Sequence, residues 1–308
     1  MVTMPLKVGT FTKSLLIHIG RESGRFIEAG LDVEEISVAS SPAQFQSLAA
    51  SELDIALTSP DNVLAYRFLT ANPLKRNFDV KILGAIDRGL GLSLCLSPYY
   101  QDIEQVQNPV FAVDVPQSGF AFVGYALLAN FGLLPGDYKI ESLGSTPKRA
   151  KALIAGECDA TILNAGNEIY SASKNCTILS SVTDLGPYLG TVLAAIPDHS
   201  GEYRAGTAEF TAVLLEIVDD IKAGKLHSEV VTTSSLLFGL TLSQGEEHYE
   251  VLRDYRNGLV SNGKVDRPSI ETLIELRRRF LPTEELDSIF SSLDGLVLHK
   301  SLLSDVTA

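Results

Sequence analysis

The chain is short of basic residues: 25 lysines and arginines stand against 38 aspartates and glutamates, a formal charge of −13. A face that grips phosphates needs the opposite sign, so no nucleic-acid partner is expected. Long hydrophobic runs are missing as well. No apolar stretch approaches the roughly 18–20 residues that cross a bilayer, so no membrane insertion is expected. Cysteine is scarce: Cys95, Cys158 and Cys176 are odd in number and lack CxxC spacing, which argues against a disulfide framework or a zinc site. They read as small buried apolar residues. Walker, GxGxxG and GxSxG signatures are absent, and the histidines form no HxxxH or HxxE pair, so neither metal nor cofactor is called for. The opening MVTMPLKVGTF has no basic n-region and no apolar h-region. That sets the expectation of a cytoplasmic protein as written, or a periplasmic one if a leader has been removed. The one dense basic run, Arg277-Arg278-Arg279, follows Glu271 and Glu275 and reads as a solvated, salt-bridged helix face.

What is present is a repeat. Residues 41–62 (SPAQFQSLAASELDIALTSPDN) and 146–167 (TPKRAKALIAGECDATILNAGN) align without a gap at an offset of 105. Pro42 matches Pro147, Leu48 matches Leu153, Asp54 matches Asp159 and Asn62 matches Asn167. Two copies of one strand–helix unit in 308 residues, 45% of them apolar, predict an α/β protein of two lobes facing each other across a cleft. Lobe one is expected over residues 1–92 plus 193–308, and lobe two over 93–192, with crossings near 89–96 and 188–195. Strands are expected at 6–9, 33–38, 55–57, 80–86 and 109–113, in parallel sheets with helices on both faces. Ser14 and the Ser41-Pro42 pair open helices, and Gly30 suits a left-handed turn. Beyond residue 200 helix follows helix: one over 208–223, one opened by a capping box at Ser243 and Glu246, one opened by Pro268, one starting at Thr283. This tail is expected to supply a cleft wall or an oligomer contact, a homodimer being one such assembly.

Ligands of open α/β sheets sit beyond the carboxyl ends of the strands, where helices begin. In lobe one that rule selects Thr10, Phe11, Thr12, Lys13 and Ser14, then Ser40 and Ser41, then Thr58, Ser59, Asp61 and Asn62, then Asp87 and Arg88. In lobe two it selects Gln117, Ser118, Gly119 and Phe120, then Ser145 and Thr146, then Asn164, Gly166 and Asn167. Hydroxyls and amides dominate, and each helix start adds free N–H groups worth about 0.3–1 kcal/mol toward an anion. Ser14, Ser41 and Ser118 serve equally as helix caps, and Phe11 either packs in the core or stacks on a ligand. Asp54 and Asp159, at the strand entrances, read as structural. His18 follows one turn after Ser14, and His248 reads as a histidine of the tail.

The segment from Ser14 to Val33, with Gly24, Phe26, Gly30, Leu31 and Val33 in a G-x-F-x-x-x-G-L-x-V turn, resembles the opening of ABC-transporter substrate-binding proteins. The branch it resembles is that of nitrate, taurine, alkanesulfonate and thiamine precursors. The segments at 51–56 and 156–160 resemble that family's two G-x-x-D-A signatures, and the likeness spans roughly residues 6–190. It implies a type II periplasmic-binding-protein fold of two Rossmann-like lobes with a helical C-terminal region, hinge closure over a small-molecule ligand, and the site positions already selected. It also implies an ABC permease as partner if the protein is a receptor. Cytosolic enzymes share this fold, so two readings stand: a solute-binding protein for a carboxylate, sulfonate or heterocycle, or an enzyme acting on a small aromatic acid or heterocycle. For the enzyme, Lys13, His18, Asp61, Asp87 and Arg88 are the candidate acid, base or charge-stabilising groups.

Overall fold

A computed structural model describes residues 5–305. The first copy of the unit runs β1 (Leu6–Thr10), α1 (Leu15–Glu22), α2 (Arg25–Glu28), β2 (Val33–Ser37), α3 (Ser41–Ala49), β3 (Ile55–Thr58), α4 (Pro60–Phe68) and β4 (Lys81–Asp87). The chain then enters β5 (Ser93–Leu96). It continues through β6 (Val110–Val113), α5 (Gly119–Ala129), β7 (Lys139–Ser142), α6 (Thr146–Ala155), β8 (Ala160–Leu163), α7 (Asn167–Ala172) and β9 (Thr177–Ser181). After β10 (Thr191–Ala195) come α8 (Thr207–Lys222), α9 (His227–Phe238), α10 (Leu242–Arg253), α11 (Arg267–Phe280) and α12 (Leu286–Ile289).

The repeat is visible in the sheets, whose spatial orders, β2-β1-β3-β10-β4 and β7-β6-β8-β5-β9, correspond strand for strand. β1 lies parallel between β2 and β3, as β6 does between β7 and β8. The expectation of wholly parallel sheets is corrected by the fourth strand of each: β10 runs antiparallel to β3 and β4, and β5 antiparallel to β8 and β9. These two strands are the ones by which the chain enters a sheet from the other lobe. No crossover α-helix precedes them to carry the chain back to the starting edge, so they arrive in the reverse direction.

Asp54 and Asp159 hold equivalent places: Lys7 N donates to Asp54 Oδ2 and Val110 N to Asp159 Oδ2, each at 2.8 Å. Each carboxylate fastens the entrance of the neighbouring strand. The three cysteines are free and buried. The first crossing, residues 88–92, turns through positive φ at Gly89 (107°), Leu90 (51°) and Gly91 (75°), a course that glycine allows and leucine resists. It is fastened to lobe two by Asn164 Nδ2 to Gly89 O (3.0 Å) and Ala165 N to Leu90 O (2.9 Å).

Two expectations for the tail are revised. The capping box of α10 is Thr241 with Gln244, not Ser243 with Glu246. Gln244 N donates to Thr241 Oγ1 (3.3 Å) and Thr241 N to Gln244 Oε1 (2.8 Å), while Glu246 pairs with His227. In the arginine run, Arg279 is exposed and Arg278 is half-buried, paired with Glu275 and Asp287. Arg277 instead is buried, because it continues the apolar stripe of Ile270, Leu273 and Ile274 at helical spacing. Among the described residues no helix is long and apolar enough to cross a membrane.

Candidate functional site

The carboxyl ends of β1, β3, β6 and β8 and the helices behind them enclose a cavity of about 500 Å³. The strand-end positions selected from the sequence line it, except Asp61, Arg88 and Gly166. The loop after β1 is held in shape by Glu35 of β2, which sequence reasoning did not single out. Thr10 Oγ1 (2.9 Å) and Ser14 N (2.8 Å) both donate to Glu35 Oε1, and Lys13 Nζ stands 3.9 Å from Oε2. Ser14 Oγ caps α1 through Ile17 N at 3.4 Å. Ser40, rather than Ser41, caps α3, since Ala43 N donates to its Oγ; Ser41 is then free to meet Tyr66 Oη at 3.4 Å. Ser59 and Ser118 cap α4 and α5. Asn62 and Asn167 each satisfy a local oxygen, Thr58 Oγ1 at 3.1 Å and Asn164 O at 2.9 Å. Five helices of eight residues or more, α1, α3, α4, α5 and α6, therefore begin in the cavity wall.

The repeat also fixes a residue not selected from the sequence. Gln44, on α3, sends Nε2 to Leu57 O (3.2 Å) and Gly9 O (3.1 Å). At the offset of 105, Arg149 on α6 sends Nη2 to Ile162 O (3.2 Å), the carbonyl equivalent to that of Leu57. The arginine also donates to Thr161 Oγ1, Thr146 Oγ1 and Gly144 O, all neutral acceptors. It is 3% exposed, lines the cavity and has no ion-pair partner among the described residues. Burial pushes its pKa down against the opposing charge of Asp114, which is itself bonded by Ser118 Oγ at 2.6 Å. Lobe two thus presents a desolvated cation where lobe one presents an amide.

The candidate catalytic groups separate. Lys13 and Asp87 line the cavity; His18, Asp61 and Arg88 do not. α1 turns Leu15 and Leu16 to the cavity and leaves His18 a turn away. Asp61 is taken up by Arg277, which donates from Nε (2.7 Å) and Nη2 (2.6 Å). Arg88 is buried against Asp266 at 2.9 Å and Ser269 Oγ at 3.2 Å. Asp87 keeps its freedom to titrate: burial pushes its carboxyl up to about 6, against bonds from Thr191 and the Gly89 N–H. The tail closes the cavity from two sides, α11 with Arg277 and Leu281 and the α9–α10 pair with Phe238, His248 and Leu252. The lobes themselves meet at Gly119, where a Cβ would lie 2.7 Å from Asp61 Cβ.

No family model matches the chain, and no curated protein matches it either. Solved structures do. A protein from Bordetella bronchiseptica RB50 superposes with a TM-score of 0.72 at 16% identity, over 94% of this chain and 98% of that one. The alkanesulfonate-binding protein SsuA from Xanthomonas axonopodis pv. citri, bound to MOPS, gives 0.68 at 14%, over 98% of each chain. The periplasmic nitrate-binding protein NrtA from Synechocystis PCC 6803 gives 0.70 at 14%, over 94% of this chain and 86% of that one. The chain has the periplasmic-binding-protein fold. In that fold the two sheets are the lobes, and the cavity between them is the interlobe cleft. The likeness is one of architecture, since sequence identity is low throughout.

Proposed function

We propose that the chain is a solute-binding protein that holds a small anionic organic molecule, a carboxylate or sulfonate, in the interlobe cleft, and that an ABC permease is its partner. The observation that supports this reading best is Arg149. A buried guanidinium without a carboxylate partner is a charge that a ligand can complete, and a charge-assisted bond to it is worth about 1.5–3 kcal/mol. The five helix starts add about 0.3–1 kcal/mol each toward the same sign. SsuA and NrtA are named for alkanesulfonate and nitrate, both anions.

Thermal-shift screening against small carboxylates, sulfonates and neutral heterocycles should return anionic hits. Arg149→Gln, which can keep the bond to Ile162 O as Gln44 keeps its own, should weaken the best of them at least about tenfold, since one charged contact exceeds 1.4 kcal/mol. Hits confined to neutral compounds, or anions bound equally well by the variant, overturn the reading. One observation favours the alternative of an enzyme: Asp87, in the wall, titrates near neutrality, where a general acid or base works. Loss of the bound hit over hours at substoichiometric protein, followed by NMR, would establish turnover.

A further inference from the structure

The α9–α10 wall carries a polar atom that an anion at Arg149 leaves unused. His248, on α10, lines the cavity and is 1% exposed. Its Nδ1 lies 2.8 Å from Ser234 Oγ on α9, and its Nε2 is buried without a hydrogen-bond partner. Phe238 meets the ring edge-to-face at 5.6 Å between centroids, and Cδ2, the atom next to Nε2, lies 3.8 Å from where a Cβ on Gly166 of lobe two would stand. Leu15, Leu16, Leu90, Leu252 and Leu259 line the same cavity and pack with Phe238 in one apolar cluster. A buried N–H or ring nitrogen left unmet in such surroundings is costly, and a ligand atom that met it would recover the cost.

The serine fixes which kind of atom that is. Ser234 is fully buried, and Nδ1 is the single partner of its hydroxyl among the described residues. A proton on Nδ1 would leave the serine O–H buried with no acceptor. Both groups are satisfied when serine donates to Nδ1, and the ring proton then sits on Nε2. Burial pushes the imidazole down to about 4, so at pH 7 it is neutral and offers one donor.

We infer that His248 reads the ligand: its Nε2–H donates to a neutral acceptor, a carbonyl or ether oxygen or a ring nitrogen, borne on an apolar body that fills the leucine-lined part of the cavity. The inference rests on the cleft being the binding site and adds a second determinant to the one at Arg149. A formal charge is disfavoured at this end, where the lining is aliphatic and aromatic. An alkyl or ammonium group would leave Nε2–H unmet.

The full chain labelled with ¹⁵N-histidine, in long-range ¹H–¹⁵N spectra, should show one buried neutral ring protonated on Nε2, assigned by its loss in His248→Phe. Acetophenone should shift that signal and bind at least about threefold tighter than its isostere isopropylbenzene, as one neutral hydrogen bond allows. In His248→Phe the preference should fall below about twofold. A proton on Nδ1, a charged ring, or no preference for acetophenone overturns the assignment. The tautomer is read on the unchanged chain, so a variant that fails to fold does not remove the test. If acetophenone moves His248 while benzenesulfonate neither binds nor competes, the anion reading falls and the His248 assignment stands. If benzenesulfonate binds through Arg149 and acetophenone leaves His248 unmoved, the reverse holds.

Discussion

Arg277 grips Asp61 with two near-parallel hydrogen bonds, 2.7 and 2.6 Å long, and the two side chains are 6% and 1% exposed. The pair joins α11 to α4, and the same guanidinium lies 5.4 Å above the ring of Phe122 on α5. Removing one partner strands a charge in the interior, which costs about 3–5 kcal/mol. Arg277→Ala should lose stability of that order in urea denaturation. The double variant Asp61→Ala, Arg277→Ala should lose less than the sum of the two singles by more than about 1 kcal/mol. Simple additivity would show that the two side chains are not coupled.

Gly119 marks a tight approach of the lobes, because a Cβ there would also stand 2.8 Å from the carboxyl carbon and Oδ2 of Asp61. Gly119→Ala should cost about 1–3 kcal/mol, as overpacking does, and should weaken the best anionic hit by holding the lobes apart. Calorimetry checks the affinity. Binding as tight as in the parent chain would show that closure does not need this approach.

Asp87 sets a pH dependence. Its carboxyl titrates near 6, so below that pH the cleft loses a negative charge. An anionic ligand should therefore bind more tightly as pH falls from 7.5 to 5, by about three- to tenfold at the effective dielectric of such sites. A sulfonate is the right probe, since it stays ionised throughout. In Asp87→Asn the profile should be flat, and a slope that survives the substitution assigns the effect elsewhere.

Glu168 on α7 is buried beside Gly91, and burial pushes its carboxyl up to about 8. The folded state therefore holds this proton where the unfolded chain, with an ordinary glutamate, has released it. Stability should fall as pH rises from 6 to 8, a window above the Asp87 titration, by up to about 1.4 kcal/mol per unit. Glu168→Gln should flatten that slope in denaturation curves at pH 6, 7 and 8. A slope equal to that of the parent chain would show that Glu168 is not its source.

The two-sheet fold and most of the cavity lining were legible because their signals are local. Each site position follows a short apolar strand or opens a helix, and the repeat shows that unit twice. Arg149 escaped because the repeat exchanges it for Gln44 instead of matching it. The shared role lies in the bonds to Leu57 O and Ile162 O, not in the side-chain type. Arg277 and His248 escaped because their partners are tertiary: Asp61 is 216 residues from Arg277. Helical spacing held a clue to both. Arg277 lies seven residues after Ile270, and His248 falls between Gly245, Tyr249 and Leu252, so each polar side chain occupies a buried stripe. The antiparallel strands β5 and β10 escaped because strand direction depends on where the chain crosses, which no pattern within the strand records.

Helix α11 is fastened on both sides of the cleft, to Asp61 of lobe one through Arg277 and to Phe122 and Tyr125 of lobe two through Arg277 and Phe280. Opening the lobes about this helix means parting a desolvated ion pair or an aromatic cluster. For a ligand held in the proposed site, residence time is expected to follow the release of α11 from one lobe or the other.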